Sequence, residues 1–435
     1  MGPHEREGAD VSLRAALVAV GDELLSGATV DTNSPWLARA LAELGVLNVR
    51  TTVAGDDEED AARALAEALA AADLVVVTGG LGPTEDDQTR HAAARAAGRA
   101  LRHSEEAWQG VLAWFERRGA PIPAANRRQA LMPEGAEILP NRVGTAPGFA
   151  LEHGGKLLFS LPGPPFEMRV MFDELVRPRV AARATGGLAV QRFQLHGLSE
   201  SLFAEQVGAW MARDADPLLG CSVKDGILTA TLRGLGRDAA EARARVAARA
   251  AEFRARFGAH IFLEGDAPIE SALGELLIAR GLAFTAAESC TSGLVVARLG
   301  RVPGISAVLG SAYVAYSDAS KQALLGVRPQ TLATHGAVSE AVVREMAAGA
   351  AARAGARVAV AVSGIAGPGG GSPDKPVGTV AFATWVDGGA QSEVRRLPPT
   401  SREHIRSTAA NTALLLLYRR LAPLGGGAGR GGRAD

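Results

Sequence analysis

A chain of 435 residues with 47% hydrophobic side chains and a formal net charge of -1 is too long for one core, and its balanced charge offers no basic field to nucleic acid or an anionic membrane. Its two cysteines, Cys221 and Cys290, exclude a disulfide scaffold or a thiolate metal cage, and no apolar run approaches the ~18 residues of a membrane span. The expectation is a cytoplasmic protein acting on small molecules, with neither nucleic acid nor membrane as partner.

From Leu13 the runs "LRAALVAVG", "PWLARALAELG", "VRTTVAGD", "EEDAARALAEALAAAD" and "LVVVTGG" alternate strand-like and helix-like patterns, which predicts βαβαβ and a parallel sheet. The acidic run Asp56 to Asp60 reads as a helix start whose carboxylates complement the dipole. Two further strands, "GFALEHGG" and "KLLFSLPG", and a helix complete a first domain over 12–185. Residues 190–264 change rhythm: a strand, a helix, the hairpin "CSVKDGILTATLRG" turning at Asp225-Gly226, an Arg/Ala helix and "HIFLEG". This is a small α+β unit, KH-like in element order but without a basic GxxG clamp, so a linking or dimerising role is expected. A third α/β domain covers 268–422, and the Gly/Arg-rich 423–435 reads as a disordered tail.

In the third domain "AESCTSG" places Ser289, Cys290, Thr291 and Ser292 where a strand turns into a helix, so that free N–H groups there could hold an oxyanion. A serine needs a base, and "YSDASK" supplies Tyr316 and Lys321; a cysteine would need a histidine, and His335 in "ATHGAVSE" is the one at hand. The strand and loop "SGIAGPGGG" offer bare backbone to an anion through Ser363, Gly364, Gly367, Gly369, Gly370 and Gly371, with Lys375 and Thr379 close behind.

"AESCTSG", "YSDASK", "HGAVSE", "SGIAGPGGG" and "KPVGTV", in this order, resemble the C-terminal domain of the CinA family, the nicotinamide mononucleotide (NMN) amidohydrolases. The resemblance implies hydrolysis of the NMN carboxamide to nicotinate mononucleotide and ammonia without a cofactor. It implies Ser289 as nucleophile and Tyr316 and Lys321 as the residues that activate it and relay protons. Cys290 then packs, Thr291 and Ser292 cap the helix, and these two with Gly293 surround the oxyanion. The loop from Ser363 to Gly371, with Lys375, is implied to hold the phosphate or ribose. The family commonly has Gly-Gly where this chain has Ser292-Gly293.

In the first domain "VAVGDELLSG" and "VVVTGGLGPTEDDQTR" end two strands in loops that could share a crevice at the carboxyl edge of the sheet. With "DTN", "ANRRQALMPEGAEILPNRVGTAPGF" and "LPGPPFEM" they are similar to the CinA N-terminal domain, related to molybdopterin-binding domains. That similarity implies a three-layer α/β fold and a metal-dependent ADP-ribose pyrophosphatase. Asp22, Asp86 and Asp87 are the implied ligands of a divalent cation such as Mg²⁺, and Gly79, Gly80 and Gly82 the phosphate loop. Asn126 and Arg128, and Asn141 and Thr145, are further candidates for the same crevice. The whole reads as a multidomain α/β homodimer of pyridine-nucleotide recycling, binding NMN and ADP-ribose. The contrasting reading is a nucleotide- or pterin-binding regulator, linked to competence, without turnover.

Overall fold

The computed structural model describes residues 13–184 and 187–422; the tail expected over 423–435 lies outside them. Contacts divide the chain into two compact units. One is built on residues up to 191 with 207–220 and 231–258, the other on 192–206, 221–230 and the chain from 259 onward. Residues 190–264 thus contribute to both.

In the first unit β1 (Arg14–Val20), β2 (Leu47–Ala54) and β3 (Leu74–Thr78) pair in parallel, β1 between the other two. β3 is buried throughout and β1 nearly so, as a strand covered on both faces should be, whereas β2 is a half-exposed edge. After the short pair β4 (Leu101–His103) and β5 (Leu131–Pro133), the strands β6 (Glu137–Leu139), β7 (Gly148–His153) and β8 (Lys156–Leu161) extend the sheet to the order β2-β1-β3-β8-β7-β6. β8 runs parallel to β3, β7 runs antiparallel to β8, and β6 antiparallel to β7. The reversal of β7 comes from the two-residue turn Gly154-Gly155, both at positive φ, which closes a hairpin instead of a crossover.

The acidic run does what its position predicts. Asp57 caps the helix Glu58–Ala71 by accepting from the N–H groups of Glu59 and Asp60, and Ala61, Leu65, Ala68 and Leu69 form its buried stripe.

β9 (Gly187–Leu195), β10 (Leu218–Lys224), β11 (Ile227–Gly236) and β12 (Ile261–Glu264) form a four-stranded sheet of order β10-β11-β9-β12. The second unit carries β13 (Phe284–Glu288), β14 (Tyr313–Val314), β15 (Val358–Gly364), β16 (Thr379–Val386) and β17 (Gly389–Arg396), in the order β14-β13-β15-β16-β17. β13 is parallel to both neighbours, and β15-β16-β17 continue antiparallel. The helix Arg402–Leu421 buries Ile405, Ala409, Leu414 and Leu417 in the core that also holds Phe284, Val360 and Phe382.

One packing detail of this unit carries a pH prediction. His196 follows β9, and its Nε2 accepts from Arg395 on β17 at 2.7 Å. Burial first, then the charges of Arg395, Arg419 and His260, push its pKa down from 6.5 to about 4. Below its ordinary pKa the unfolded chain therefore binds this proton more readily than the folded one. The contribution is complete above pH 6.5 and is lost as pH falls toward 4. The urea midpoint should drop between pH 7 and pH 4.5, and His196→Gln, which keeps an acceptor but cannot titrate, should drop less. Parallel curves for the two proteins would refute this.

Candidate functional site

Ser289 sits one residue past β13, its N–H bonded to the Val362 carbonyl of β15 at 2.9 Å, so the Ser289 turn and the glycine loop after β15 open at one carboxyl edge. The turn is held from three sides. Ser292 stands at φ 50, a left-handed conformation that glycine adopts without cost, and its hydroxyl donates to the Ser289 carbonyl at 3.3 Å. This accounts for how the turn accommodates Ser292 beside Gly293, itself at φ 89.

Helix capping departs from expectation. Neither Thr291 nor Ser292 caps the helix Leu294–Leu299; the fully buried Glu288 carboxylate does, accepting from the N–H groups of Val295 (3.1 Å) and Val296 (3.0 Å). The Thr291 hydroxyl is buried with no hydrogen-bond partner among the described residues. No hydrogen bond among the described residues occupies the Thr291 or Gly293 N–H, so an oxyanion would find its donors in the turn and not in the helix. From the third side Arg406 donates to the carbonyls of Cys290 (3.1 Å) and Thr291 (3.0 Å).

Lys321 is brought to the same place. It lies on the helix Asp318–Leu325, which Ser317 caps, and is 2% exposed. Its Nζ donates to the main-chain carbonyl of Tyr316 at 3.1 Å, and the Ser289 Oγ donates to that same oxygen at 3.4 Å. The sum of those two distances bounds the separation of hydroxyl and amine. Asp318 lies 3.5 Å from the amine. The Tyr316 phenol is half-exposed and accepts from Arg402 at 2.6 Å. The carbonyl of Tyr316, not its ring, joins serine to lysine.

Cys290 packs. Burial, before any other cause, pushes its thiol up to about 12, so no thiolate is available to His335 or to an electrophile. Iodoacetamide at pH 8 should therefore leave Cys290 unmodified in the folded protein, read by peptide mass spectrometry; rapid labelling would contradict the burial.

The glycine loop is only partly a cradle. Ser363 donates to the Ala337 carbonyl, and Gly364 is pressed so closely by Val380 and Cys290 that a Cβ there would lie 2.8 and 3.0 Å from them. Gly367 presents its carbonyl to Arg402 at 2.6 Å, and Gly369 and Gly370 are exposed. Lys375, expected to hold an anion, donates to the carbonyls of His335 and Val338 at 2.8 Å. Two further cations at the edge, Arg402 and Arg406, were missed by sequence reading; among the described residues neither has a carboxylate partner. Their signal was present in "SREHIR": two arginines in the opening turns of a helix oppose its dipole, a local cost that function often explains.

The first unit has its own cavity, about 400 Å³, where β1 and β3 end. Glu23, Asp31, Asn33, Asp56, Gly79 to Gly82, Asp86, Asp87, Gln129 and Thr145 are on its wall, so the two loops do share a crevice. Gly79 makes this possible: at φ 96 it lies against β1, and a Cβ would stand 2.2 Å from the Val20 carbonyl. Behind the loop the buried Arg90 donates to the carbonyls of Leu81 and Gly82, and Thr89 to that of Gly79 at 2.8 Å. Drawing these carbonyls inward is what an anion-binding loop needs.

The expected ligand set does not converge there. Asp87 accepts from Gly82 N–H (2.7 Å) and Thr84 N–H (2.8 Å), bracing the loop, and Asp22 accepts from the Asp56 N–H (3.1 Å) and is not on the cavity wall. Of the three, Asp86 and Asp87 are on the cavity wall, with Glu23 and Asp56, but the Asp87 carboxylate is spent on the loop's own N–H groups. Burial raises the Asp56 pKa, with Asp22, Glu23 and Asp86 adding to it against the Asp22 N–H bond. Among the described residues no three His, Cys, Asp or Glu side chains are set to hold a metal, so the residues present do not fit a protein-held centre. Asn126 is also displaced from its expected role: buried, it donates to Gln129, and Gln129 is the residue on the wall. Asn141 closes its own turn by accepting from Val143 and Gly144. Arg128 holds the Thr84 carbonyl.

Two α/β units, each with a loop-lined site at the carboxyl edge of parallel strands, define the class: a multidomain protein joining a molybdopterin-binding-type unit to a CinA-type unit. Residues 16–182 match the family model described as "Probable molybdopterin binding domain", and residues 266–421 match that of the CinA C-terminal domain. The chain is 44% identical over 373 residues, 85% of its length and 88% of the other's, to a protein of Symbiobacterium thermophilum named for competence-damage induction. It is 42% identical to a CinA-like protein of Geobacter sulfurreducens, covering 94% of this chain and 99% of that one. The chain belongs to the CinA family. Among solved structures it is similar to the protein CinA of Thermoplasma acidophilum, at 34% identity over 38% of this chain and 98% of that one, with a TM-score of 0.36. No helix among the described residues is long and apolar enough to cross a membrane.

Proposed function

We propose that the second unit hydrolyses the carboxamide of NMN to nicotinate mononucleotide and ammonia, with Ser289 as nucleophile. The observation that carries this reading is the meeting of the Ser289 hydroxyl and the buried Lys321 amine on one carbonyl oxygen. A free amine there takes the serine proton as Oγ attacks the amide carbon, and returns it to the departing nitrogen. The negative oxygen formed on that carbon faces the Thr291 and Gly293 N–H groups, and the ester is then cleaved by water. Arg402 and Arg406, unmatched by carboxylates, suit a substrate bearing a phosphate. Ammonia release from NMN by the purified chain is the test; silence at millimolar substrate would favour a binding protein without turnover.

For the first unit, the inward-drawn carbonyls of Leu81 and Gly82 support a phosphate-bearing nucleotide such as ADP-ribose, at Gly79, Gly80 and Gly82. The scattered carboxylates favour binding over cleavage by a resident metal, so any cation would arrive on the diphosphate. AMP release from ADP-ribose with Mg²⁺, lost in Asp86→Ala, would establish a pyrophosphatase; calorimetric binding with no AMP formed would establish the binding reading. A cytoplasmic homodimer taking these two nucleotides, without nucleic acid or membrane, completes the proposal.

A further inference from the structure

Hairpin tips are normally solvated. The one between β10 and β11 is only partly so: Asp225 and Gly226 stand at φ 48 and 77, and while Gly226 is exposed, the Asp225 side chain is 19% exposed. The Asp225 carboxylate accepts from the Ser407 hydroxyl at 2.8 Å and lies 3.7 Å from both Arg298 and His404. Its carbonyl accepts from Asn411 at 3.3 Å, and a Cβ on Gly226 would stand 3.1 Å from the Thr408 methyl. His404, Ser407, Thr408 and Asn411 are spaced i, i+3, i+4, i+7, one face of the helix Arg402–Leu421.

That helix also carries Arg402 and Arg406, which hold Gly367, the Tyr316 phenol and the carbonyls of Cys290 and Thr291. Arg298, 12% exposed, lies on the helix that begins at the nucleophile turn, and it donates to Ser407 at 2.6 Å and to Asn411. Both helices that grip the Ser289 turn therefore meet at one carboxylate from a different part of the chain. Nothing in the hairpin's own fold asks for this, since a Asp-Gly turn closes equally well in water.

We propose that Asp225 is a positioning residue of the Ser289 site, bracing Arg298 and the helix Arg402–Leu421 so that Arg406 holds the nucleophile turn in shape. It touches neither substrate nor reacting atoms. This rests on the amide-hydrolysis reading, so the test has one arm that does not. In the full chain, Asp225→Gly deletes the carboxylate while suiting the left-handed backbone, Asp225→Asn keeps an acceptor and that backbone, and Lys224→Ala is the control. NMN turnover and hydrogen exchange of the segment 290–299 are measured on all four proteins. Asp225→Gly should lose about tenfold in kcat with KM within about twofold, as misplacement of a catalytic group does, and should exchange faster over 290–299. Asp225→Asn should recover most of both, and Lys224→Ala should match the wild type. Unchanged exchange in Asp225→Gly, with or without a loss of kcat, overturns the brace. If the wild type releases no ammonia the amidase reading fails, and exchange alone decides the brace.

Discussion

Ser289→Ala is expected to lower ammonia release from NMN by about 10³-fold or more, the scale on which removing a covalent nucleophile acts. The substitution removes one oxygen from a residue that is 6% exposed, and its backbone bond to Val362 does not need the hydroxyl. Folding should survive, because the lost contact is one 3.4 Å bond to the Tyr316 carbonyl, worth about 1 kcal/mol. The expected signature is thus a thermal midpoint close to that of the wild type with turnover at background. A variant that keeps a tenth of the activity would mean that Ser289 is not the attacking group.

Lys321→Arg is expected to lose a comparable factor for a different reason. A guanidinium does not give up its proton, so it cannot accept one from Ser289 at any pH the fold tolerates. Its bulk is also unwelcome in a site that leaves Lys321 2% exposed. Lys321→Met separates the two effects: it keeps the length and apolar stem and removes the buried polar amine. Both variants should be inactive, and Lys321→Met should fold at least as stably as the wild type by urea titration. Turnover retained in either removes the proposed base, and activity in Lys321→Met alone would make Lys321 a packing residue.

Much of this was legible in the chain itself, because strand ends and glycine loops are local signals. "LVVVTGG" and "AFTAAESC" announce buried strands running into turns, and both do open at carboxyl edges, where Gly79 and Ser289 stand. The pairing of Ser289 with Lys321 was implied by the resemblance to the CinA family, and both side chains donate to the Tyr316 carbonyl. What the sequence could not state is which atom of a residue is used. The Tyr316 carbonyl receives Ser289 and Lys321, Lys375 and Asp87 spend their side chains on backbone groups, and Glu288 caps a helix from the end of the preceding strand. Each depends on a hydrogen bond whose partner is set by the fold, and composition carries no record of it. The antiparallel half of the first sheet was missed for a related reason: apolar runs mark burial, while direction depends on a turn as small as Gly154-Gly155.

The most direct measurement is the covalent one. Wild-type protein mixed with NMN and quenched in acid within milliseconds should carry one nicotinate-mononucleotide ester, located by peptide mass spectrometry on Ser289 and absent from Ser289→Ala. An adduct on Cys290 or Lys321 instead, or ammonia released at full rate with no adduct on any residue at the earliest quench, would contradict the account.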